Sequence, residues 1–519
     1  MGDLKRVRTA LGVAIVGLLV VALAPPGVSA GQPRASLTIT PGVYVGGQAL
    51  TFKGNIGRLG RQRIRLQSIS DRPGDTWTSP EGGFHTWTNR DGSFNFTYPA
   101  PSMFGLRMRV VTAGSATPGR PVTARSQDLE LHVVPASPAV GQRFNINVDT
   151  TPTFPNRSDL PGPAFQGRTL TLQQRVGGNR WQTLDTTTTD RNGQGSFGQT
   201  VNSPGTVVYR VRQEDWTPAR SRIGWFPSFP TYVHVGAPVA PTGLAGGASA
   251  SATRQRNVRT ASAGTAQATA RRIDSSSTAS KIHRWGQSLW DFAWAFGESL
   301  TSRPYRGTDR QGRWLDASDG SGRAVPHNGQ LVLESQRNRI GPGDHGTTSA
   351  TLRGNPMTYG RWETKVWLKS PENNARDYRV RIELVPDRQP DSNCGVITVA
   401  DVAAHDASVT MGATALRGTR KWTYGKRIGS LNGRSAAFAV EMTRRHISWF
   451  VNGRVMATTR SAAAVPDVPM TLRLSMEGAG QDEMNSTQVL SDWQRAFSLK
   501  RGKLTTSGHA LRQGTYGGC

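Results

Sequence analysis

One short segment places three charged side chains together. Between Tyr378 and Val385 the residues alternate: Tyr378, Val380, Ile382 and Leu384 share one face, and Arg379, Arg381 and Glu383 share the other. An apolar face of this kind enters the core between two sheets, which leaves the two arginines and the glutamate on the open side. Arginine forks donate in bidentate pairs to carboxylate, sulfate or phosphate, so the segment can hold an anionic group. The plainer reading is a set of solvated surface charges. Cys394 and Cys519 are the only thiols. That count fits an intramolecular bridge, an intermolecular bridge or two free thiols, and export favours the first. The nine histidines are dispersed. There is no metal-spaced His/Cys cluster, phosphate-binding glycine loop or nucleophile elbow.

These residues need elements to hold them. From Trp285 onward the chain breaks into short strand-like runs: Gln330 to Glu334, Trp362 to Leu368, Tyr378 to Val385, Val396 to Val399, Ala437 to Glu441, Ile447 to Val451 and Met470 to Met476. Turns such as Val451-Asn452-Gly453-Arg454 separate them, and no long helical period intervenes. The pattern predicts an all-β sandwich of jelly-roll size over 282–500, with a polar tail over 501–519.

Upstream, 31–134 and 135–236 read as two copies of one unit. Arg63-Ile64-Arg65-Leu66-Gln67 corresponds to Thr169-Leu170-Thr171-Leu172-Gln173, and the turn Asn89-Arg90-Asp91-Gly92 to Asp190-Arg191-Asn192-Gly193. Alternation with Asx-Gly turns marks half-buried antiparallel strands, and about 100 residues per copy suits a β-sandwich. The units resemble the immunoglobulin-like modules of bacterial surface and secreted proteins. Residues 237–281 are rich in Ala, Ser, Thr and Gly, with Arg254, Arg256 and Arg259 among them. They carry too little apolar surface to fold. A flexible basic linker is expected, on which the last domain searches a surface.

Across 519 residues, 63 Lys and Arg face 35 Asp and Glu, a net charge of +28. The sign excludes an acidic disordered chain; the length and the two cysteines exclude a disulfide-stapled mini-protein. So basic a surface attracts polyanions, unless it reflects only a coding bias towards arginine. At the N-terminus, Lys5, Arg6 and Arg8 precede an apolar run from Leu11 to Ala24, and Val28-Ser29-Ala30 offers a cleavage site. Residues 1–30 therefore read as a signal peptide, with an uncleaved anchor as the alternative. No later segment is apolar enough to span a bilayer, so a secreted protein without a transmembrane anchor is expected, with association to the cell wall a further option.

The last domain also carries the marks of a family. Asn328-Gly329-Gln330-Leu331-Val332-Leu333 and Tyr359-Gly360-Arg361-Trp362-Glu363-Thr364-Lys365 resemble paired signatures of the laminarinase and lichenase glycoside hydrolases, family 16. Phe438-Ala439-Val440-Glu441-Met442 leading to Ile447-Ser448-Trp449-Phe450-Val451-Asn452-Gly453 resembles the hairpin of the same enzymes, and Ser491-Asp492-Trp493 continues the order. The resemblance implies a concanavalin-A-like sandwich with a polysaccharide cleft. Its catalytic strand reads G-E-x-D-x-x-E, and a retaining pair needs two carboxyls about 5–5.5 Å apart. Here the stretch is Gly395-Val396-Ile397-Thr398-Val399-Ala400-Asp401. The nucleophile position holds Val396, the assisting acid holds Thr398, and only the acid/base position keeps a carboxyl, Asp401.

The resemblance thus implies a catalytically degenerate, polysaccharide-binding protein. Glu363, Lys365, Arg379, Arg381 and Thr398 would face the sugar, and the exchange of aromatic platforms for Arg379, Arg381 and Lys365 would favour an acidic glycan. Glu383 with Asp401 would serve as an improvised pair if the protein were instead an active endo-glycosidase; the plainer reading of these charges is a self-neutralising ion cluster on the old cleft floor. A structural envelope protein is the third reading. Nucleic acid has charge in its favour, but export and the lack of a nucleic-acid motif speak against it. By strand alternation Cys394 lies on the cleft face with Val396, so a bridge to Cys519 would draw the tail across the cleft mouth. No cofactor is required. A structural calcium, held by Asp492 and the Gly329 carbonyl, is implied by the resemblance alone, since calcium takes several oxygen ligands.

Overall fold

The computed structural model describes residues 33–519 apart from 72–73, 81–82, 154–157, 159, 161, 237–277, 295, 302–311, 337–344 and 481. The expected signal peptide, and the expected linker up to residue 277, lie outside the described residues. The architecture is all-β. Among the described residues no helix is long and apolar enough to cross a membrane.

Alternation builds each layer. In strand Arg63–Ile69, Ile64 and Leu66 are buried while Arg63 and Arg65 are exposed. In Arg143–Asp149, Phe144, Ile146 and Val148 are buried and the residues between them are not. The first unit sets a three-stranded sheet (Ser36–Thr40, Ala49–Asn55, Ser93–Pro99) against a six-stranded one that includes Arg120–Arg125, Leu106–Thr112, Arg63–Ile69 and His85–Trp87. Phe52, Leu66, Met108 and Val110 fill the space between them. The second unit repeats the plan around Phe144, Leu172, Phe197 and Val211.

The boundary between the two units lies earlier than expected. Strand Glu130–Val134, placed in the first unit by the 134/135 division, pairs with Arg143–Asp149 of the second. Leu129 is already buried in the second core. The repeat motifs mark turns and long strands, and this short edge strand has no such mark.

The C-terminal sandwich has two eight-stranded sheets. One, the outer sheet, contains Gln330–Glu334, Gln488–Phe497, Gly360–Lys369, Ser435–Met442 and Ile447–Val451. The other, the groove sheet, runs Arg313–Asp316, Thr347–Arg353, Met470–Glu477, Arg379–Pro386, Ile397–Val402, Ser408–Thr414, Arg420–Arg427, Arg512–Thr515. Trp314, Trp362, Ile382, Leu384, Phe438, Trp449 and Leu474 lie in the core between them.

The polar tail carries a strand, and the expectation of a freely tethered last domain is corrected. The tail is structured, because strand Arg512–Thr515 pairs with Arg420–Arg427 and extends the groove sheet. The last domain is also docked rather than free to search. Arg323, 2% exposed, donates to Glu334 Oε1 at 2.6 Å, to Asp128 Oδ1 at 3.2 Å and to the Pro227 carbonyl at 3.0 Å. Its guanidinium also stacks on Phe229 at 4.0 Å. Val325 and Val332 of the sandwich complete the core of the second unit, and Phe296 enters that of the first. Composition marks 237–281 as poor in apolar surface, but the docking residues lie elsewhere in the chain. Residues 278–281 themselves lie against the sandwich, where Ala279–Ile282 forms one short helical turn.

Candidate functional site

The open face of the groove sheet holds a depression of about 330 Å³. Val396, Thr398 and Asp401 all line it, with Arg381, Glu383, Lys421, Trp422, Arg473 and Tyr516. Strict alternation would send residues 398 and 401 to opposite faces. A bulge resolves this: Ile382 pairs with Ala400 and Glu383 with Thr398, so one extra residue is accommodated at Val399. Val399 and Ala400 both turn into the core. The bulge re-aims Asp401 into the groove. The three positions that the resemblance aligns with catalytic carboxylates therefore do converge on one surface.

Each carboxylate in the groove is met by an arginine. Arg379 Nη2 lies 2.6 Å from Asp401 Oδ1, and Arg381 Nε lies 3.7 Å from Asp401 Oδ2. Arg381 Nη1 reaches Glu477 Oε2 at 2.7 Å. Arg473 donates twice to Glu383 Oε2, at 2.7 and 3.1 Å, and once to the Pro390 carbonyl at 2.6 Å. Burial works against the Arg381 charge, but Glu477, Asp401 and Glu383 outweigh it and hold its pKa above the ordinary arginine value. Arg473 and Glu477 were not foreseen. Their strand, Met470–Glu477, carries the signal: Leu472, Leu474 and Met476 lie in the core, and Arg473 and Glu477 fall on the alternate positions. Register then sets Arg473 beside Glu383 and Glu477 beside Arg379.

Two residues expected at the sugar lie elsewhere. Glu363 and Lys365 belong to Gly360–Lys369, a strand of the outer sheet, and take no part in the groove. Glu363 accepts from the Ala279 and Ser280 backbone N–H groups at 2.5 and 3.3 Å, and from the Ser280 hydroxyl at 2.5 Å. It thereby anchors the short turn that follows residue 277. Burial pushes the Glu363 carboxyl up, and these hydrogen bonds pull it back only in part.

Lys365 Nζ lies 2.7 Å from Asp492 Oδ2, and Gln330 Nε2 donates to Asp492 Oδ1. A calcium ion does not fit there, because an ammonium already occupies the carboxylate it would need. Gly329 shows a left-handed φ of 79° as part of the tight Asn328-Gly329 turn. Among the described residues no group of three or more His, Cys, Asp or Glu is placed to hold a metal ion.

Cys394 and Cys519 form a disulfide with Cα atoms 5.4 Å apart. The bridge holds the tail along the groove, where the Tyr516 N–H donates to the Thr419 carbonyl at 2.6 Å and the ring lines the depression. Trp422, the other aromatic residue of the lining, is 3% exposed, which leaves Tyr516 as the ring a ligand can reach. No sequence pattern marked Tyr516, since its position depends on a bridge between residues 125 apart.

No family model matches the chain, and no curated protein does. Solved structures are similar to it over part of its length. They include the catalytic domain of an endo-1,3-β-glucanase (laminarinase) from Thermotoga petrophila RKU-1, at 14% identity over 41% of this chain and 98% of that one, TM-score 0.31. The endo-β-1,3-glucanase from Pyrococcus furiosus is similar at 13% identity, over 41% and 94%, TM-score 0.31. A structure from work on endo-acting O-glycanases of the human gut microbiota is similar at 16% identity, over 41% and 100%, TM-score 0.32.

Proposed function

We propose that the C-terminal sandwich binds polysaccharide in this groove without cleaving it, as part of a secreted or cell-wall-associated protein. The observation that carries the reading is Val396 in the lining. Retaining hydrolysis requires a carboxylate to attack the anomeric carbon while a second protonates the leaving oxygen. Val396, at the attacking position, has no atom that can form the glycosyl ester. Glu383 and Asp401, the groove's own carboxylates, are engaged by Arg473, Arg379 and Arg381.

The same pairing bears on the ligand. Arg379 and Arg381 already hold carboxylates, and Lys365 is on the other sheet, so the groove presents donors and acceptors side by side. Sugar hydroxyls both donate and accept, and Tyr516 adds a ring that can lie against a sugar. This supports a neutral glycan in the groove in place of the acidic one expected there.

The test combines retention and turnover on the mature full chain with laminarin, lichenan and agar-type polymers. Retardation of the protein in gels containing one of these polymers, with no release of reducing sugar, is the expected result. Steady release abolished by Asp401→Asn or Glu383→Gln would establish an endo-glycosidase instead. Absence of retardation on every polymer would remove the glycan reading and leave the structural envelope role.

A further inference from the structure

A second arginine-bearing surface lies on the first unit, on the outward face of its larger sheet. Arg63 and Arg65 project from strand Arg63–Ile69, and Arg107 and Arg109 from its neighbour Leu106–Thr112, where Gln67 pairs with Arg109 and Ile69 with Arg107. Trp87, 51% exposed, stands across from Arg63 on strand His85–Trp87. The Arg109 guanidinium lies 4.1 Å above the Trp77 ring and donates to Gln67 Oε1 at 2.9 and 3.0 Å, which fixes its orientation. The inward residues Ile64, Leu66, Met108 and Val110 are core, so the outward set is held on a rigid sheet.

No aspartate or glutamate occurs in Val43–Val45, Arg63–Ile69, His85–Trp87, Leu106–Thr112, Ser115–Ala116 or Arg120–Arg125, the six strands that make this face. Asp75, in the loop after Arg63–Ile69, accepts the Ser70 hydroxyl. The forks on this face therefore have no carboxylate on their own strands to satisfy them.

The geometry points to this face as a binding site for an anionic polysaccharide, separate from the groove. Guanidinium forks spaced by the strand repeat offer bidentate donors at regular intervals, which suits a polymer with a regular carboxylate or sulfate repeat. Trp87 carries the Arg61 guanidinium over one face, 5.4 Å from the ring centre, and its exposed remainder is the ring surface left for a sugar. Single-stranded nucleic acid is gripped by successive stacking rings. Here Trp77 is already covered by Arg109, so one ring remains, which favours the polysaccharide.

The test uses the full mature chain and polygalacturonate as the probe, at about 150 mM salt, where exposed charges beyond roughly 8 Å are screened. Arg63→Gln/Arg65→Gln/Arg107→Gln removes three charges from the face, and Arg254→Gln/Arg256→Gln/Arg259→Gln removes three from the 237–277 segment. The face variant is expected to bind at least tenfold more weakly, and the second variant within twofold of the parent. Arg63, Arg65 and Arg107 are exposed, and equal melting temperatures of both variants and the parent verify that folding is intact. Equal losses in both variants, or no loss in the face variant, would overturn the proposal in favour of diffuse charge. A single-stranded oligonucleotide that binds more tightly than polygalacturonate, with the same dependence on Arg63, Arg65 and Arg107, would overturn the choice of ligand.

Discussion

The first unit and the C-terminal sandwich both present arginines from alternate positions of a central strand, yet the two sets differ in what faces them. In the groove, Arg379, Arg381 and Arg473 each find a carboxylate from an adjacent strand. On the first unit, Arg63, Arg65, Arg107 and Arg109 face strands that carry none. One residue type at one spacing thus serves two ends. A paired guanidinium is part of the scaffold, fixing carboxylates and offering mixed donors and acceptors. An unpaired one keeps its charge for a partner. Net charge cannot separate the two cases, because it counts every arginine alike.

The largest effect expected from this contrast is on stability. Glu383→Ala leaves Arg473 mostly buried without its carboxylate; the two side chains are 7% and 17% exposed. Removing one partner of a buried pair costs about 3–5 kcal/mol. Arg473 keeps the Pro390 carbonyl and some solvent, so roughly 2–3 kcal/mol is the expectation from that range. Arg65→Ala on the first unit should stay within about 0.5 kcal/mol, as for ordinary surface changes. Denaturant unfolding of both variants measures the difference, and similar costs would erase the distinction between the two faces.

The next effect is on binding, and it converts one region into the other. Asp401→Asn/Glu477→Gln releases Arg379 and Arg381, whose side chains are 41% and 38% exposed. Made in the Arg63→Gln/Arg65→Gln/Arg107→Gln background, this change should raise affinity for oligogalacturonate by about tenfold, equivalent to about 1.4 kcal/mol. Calorimetry at fixed salt decides it. An unchanged affinity would mean that carboxylate pairing is not what keeps the groove indifferent to anions.

What the sequence revealed follows the same division between local and non-local order. Alternation within Tyr378 to Val385 correctly set Arg379, Arg381 and Glu383 against a buried Ile382 and Leu384, because side-chain direction along a strand is local. Which sheet a strand joins is not local. Gly360–Lys369 and Arg379–Pro386 are consecutive and both alternate, yet they lie in opposite sheets, which puts Glu363 and Lys365 on the surface away from the groove. Arg473 and Glu477 come from a strand about ninety residues further along, and only register sets them beside Glu383 and Arg379. The spacing from Thr398 to Asp401 depends on the bulge at Val399, which the pairing of Thr398 with Glu383 and Gly412 and of Asp401 with Arg381 and Thr410 reveals and residue types do not.

The smallest effect concerns a carboxylate whose hydrogen bonds come from backbone and hydroxyl groups, with the Arg495 guanidinium acting on it only through its charge. Glu363 is buried like Glu383, but backbone N–H groups and the Ser280 hydroxyl meet it, and burial raises its pKa. A carboxyl raised on folding binds its proton more tightly in the fold than in the unfolded chain. Its contribution to stability is therefore greatest below the unfolded value of about 4.3 and declines as pH rises through that value towards the folded one. Glu363→Gln keeps an oxygen for the Ala279 N–H and removes the titration. The variant should match or slightly exceed the parent at pH 7, and it should lose less stability than the parent between pH 4 and 7. Denaturant midpoints taken in parallel at each pH give the difference, in which all other titrating groups cancel. Superimposable pH profiles would show that the hydrogen bonds from Ala279 and Ser280 compensate burial as fully as an arginine does, and the contrast between paired and unpaired charge would then rest on the two arginine faces alone.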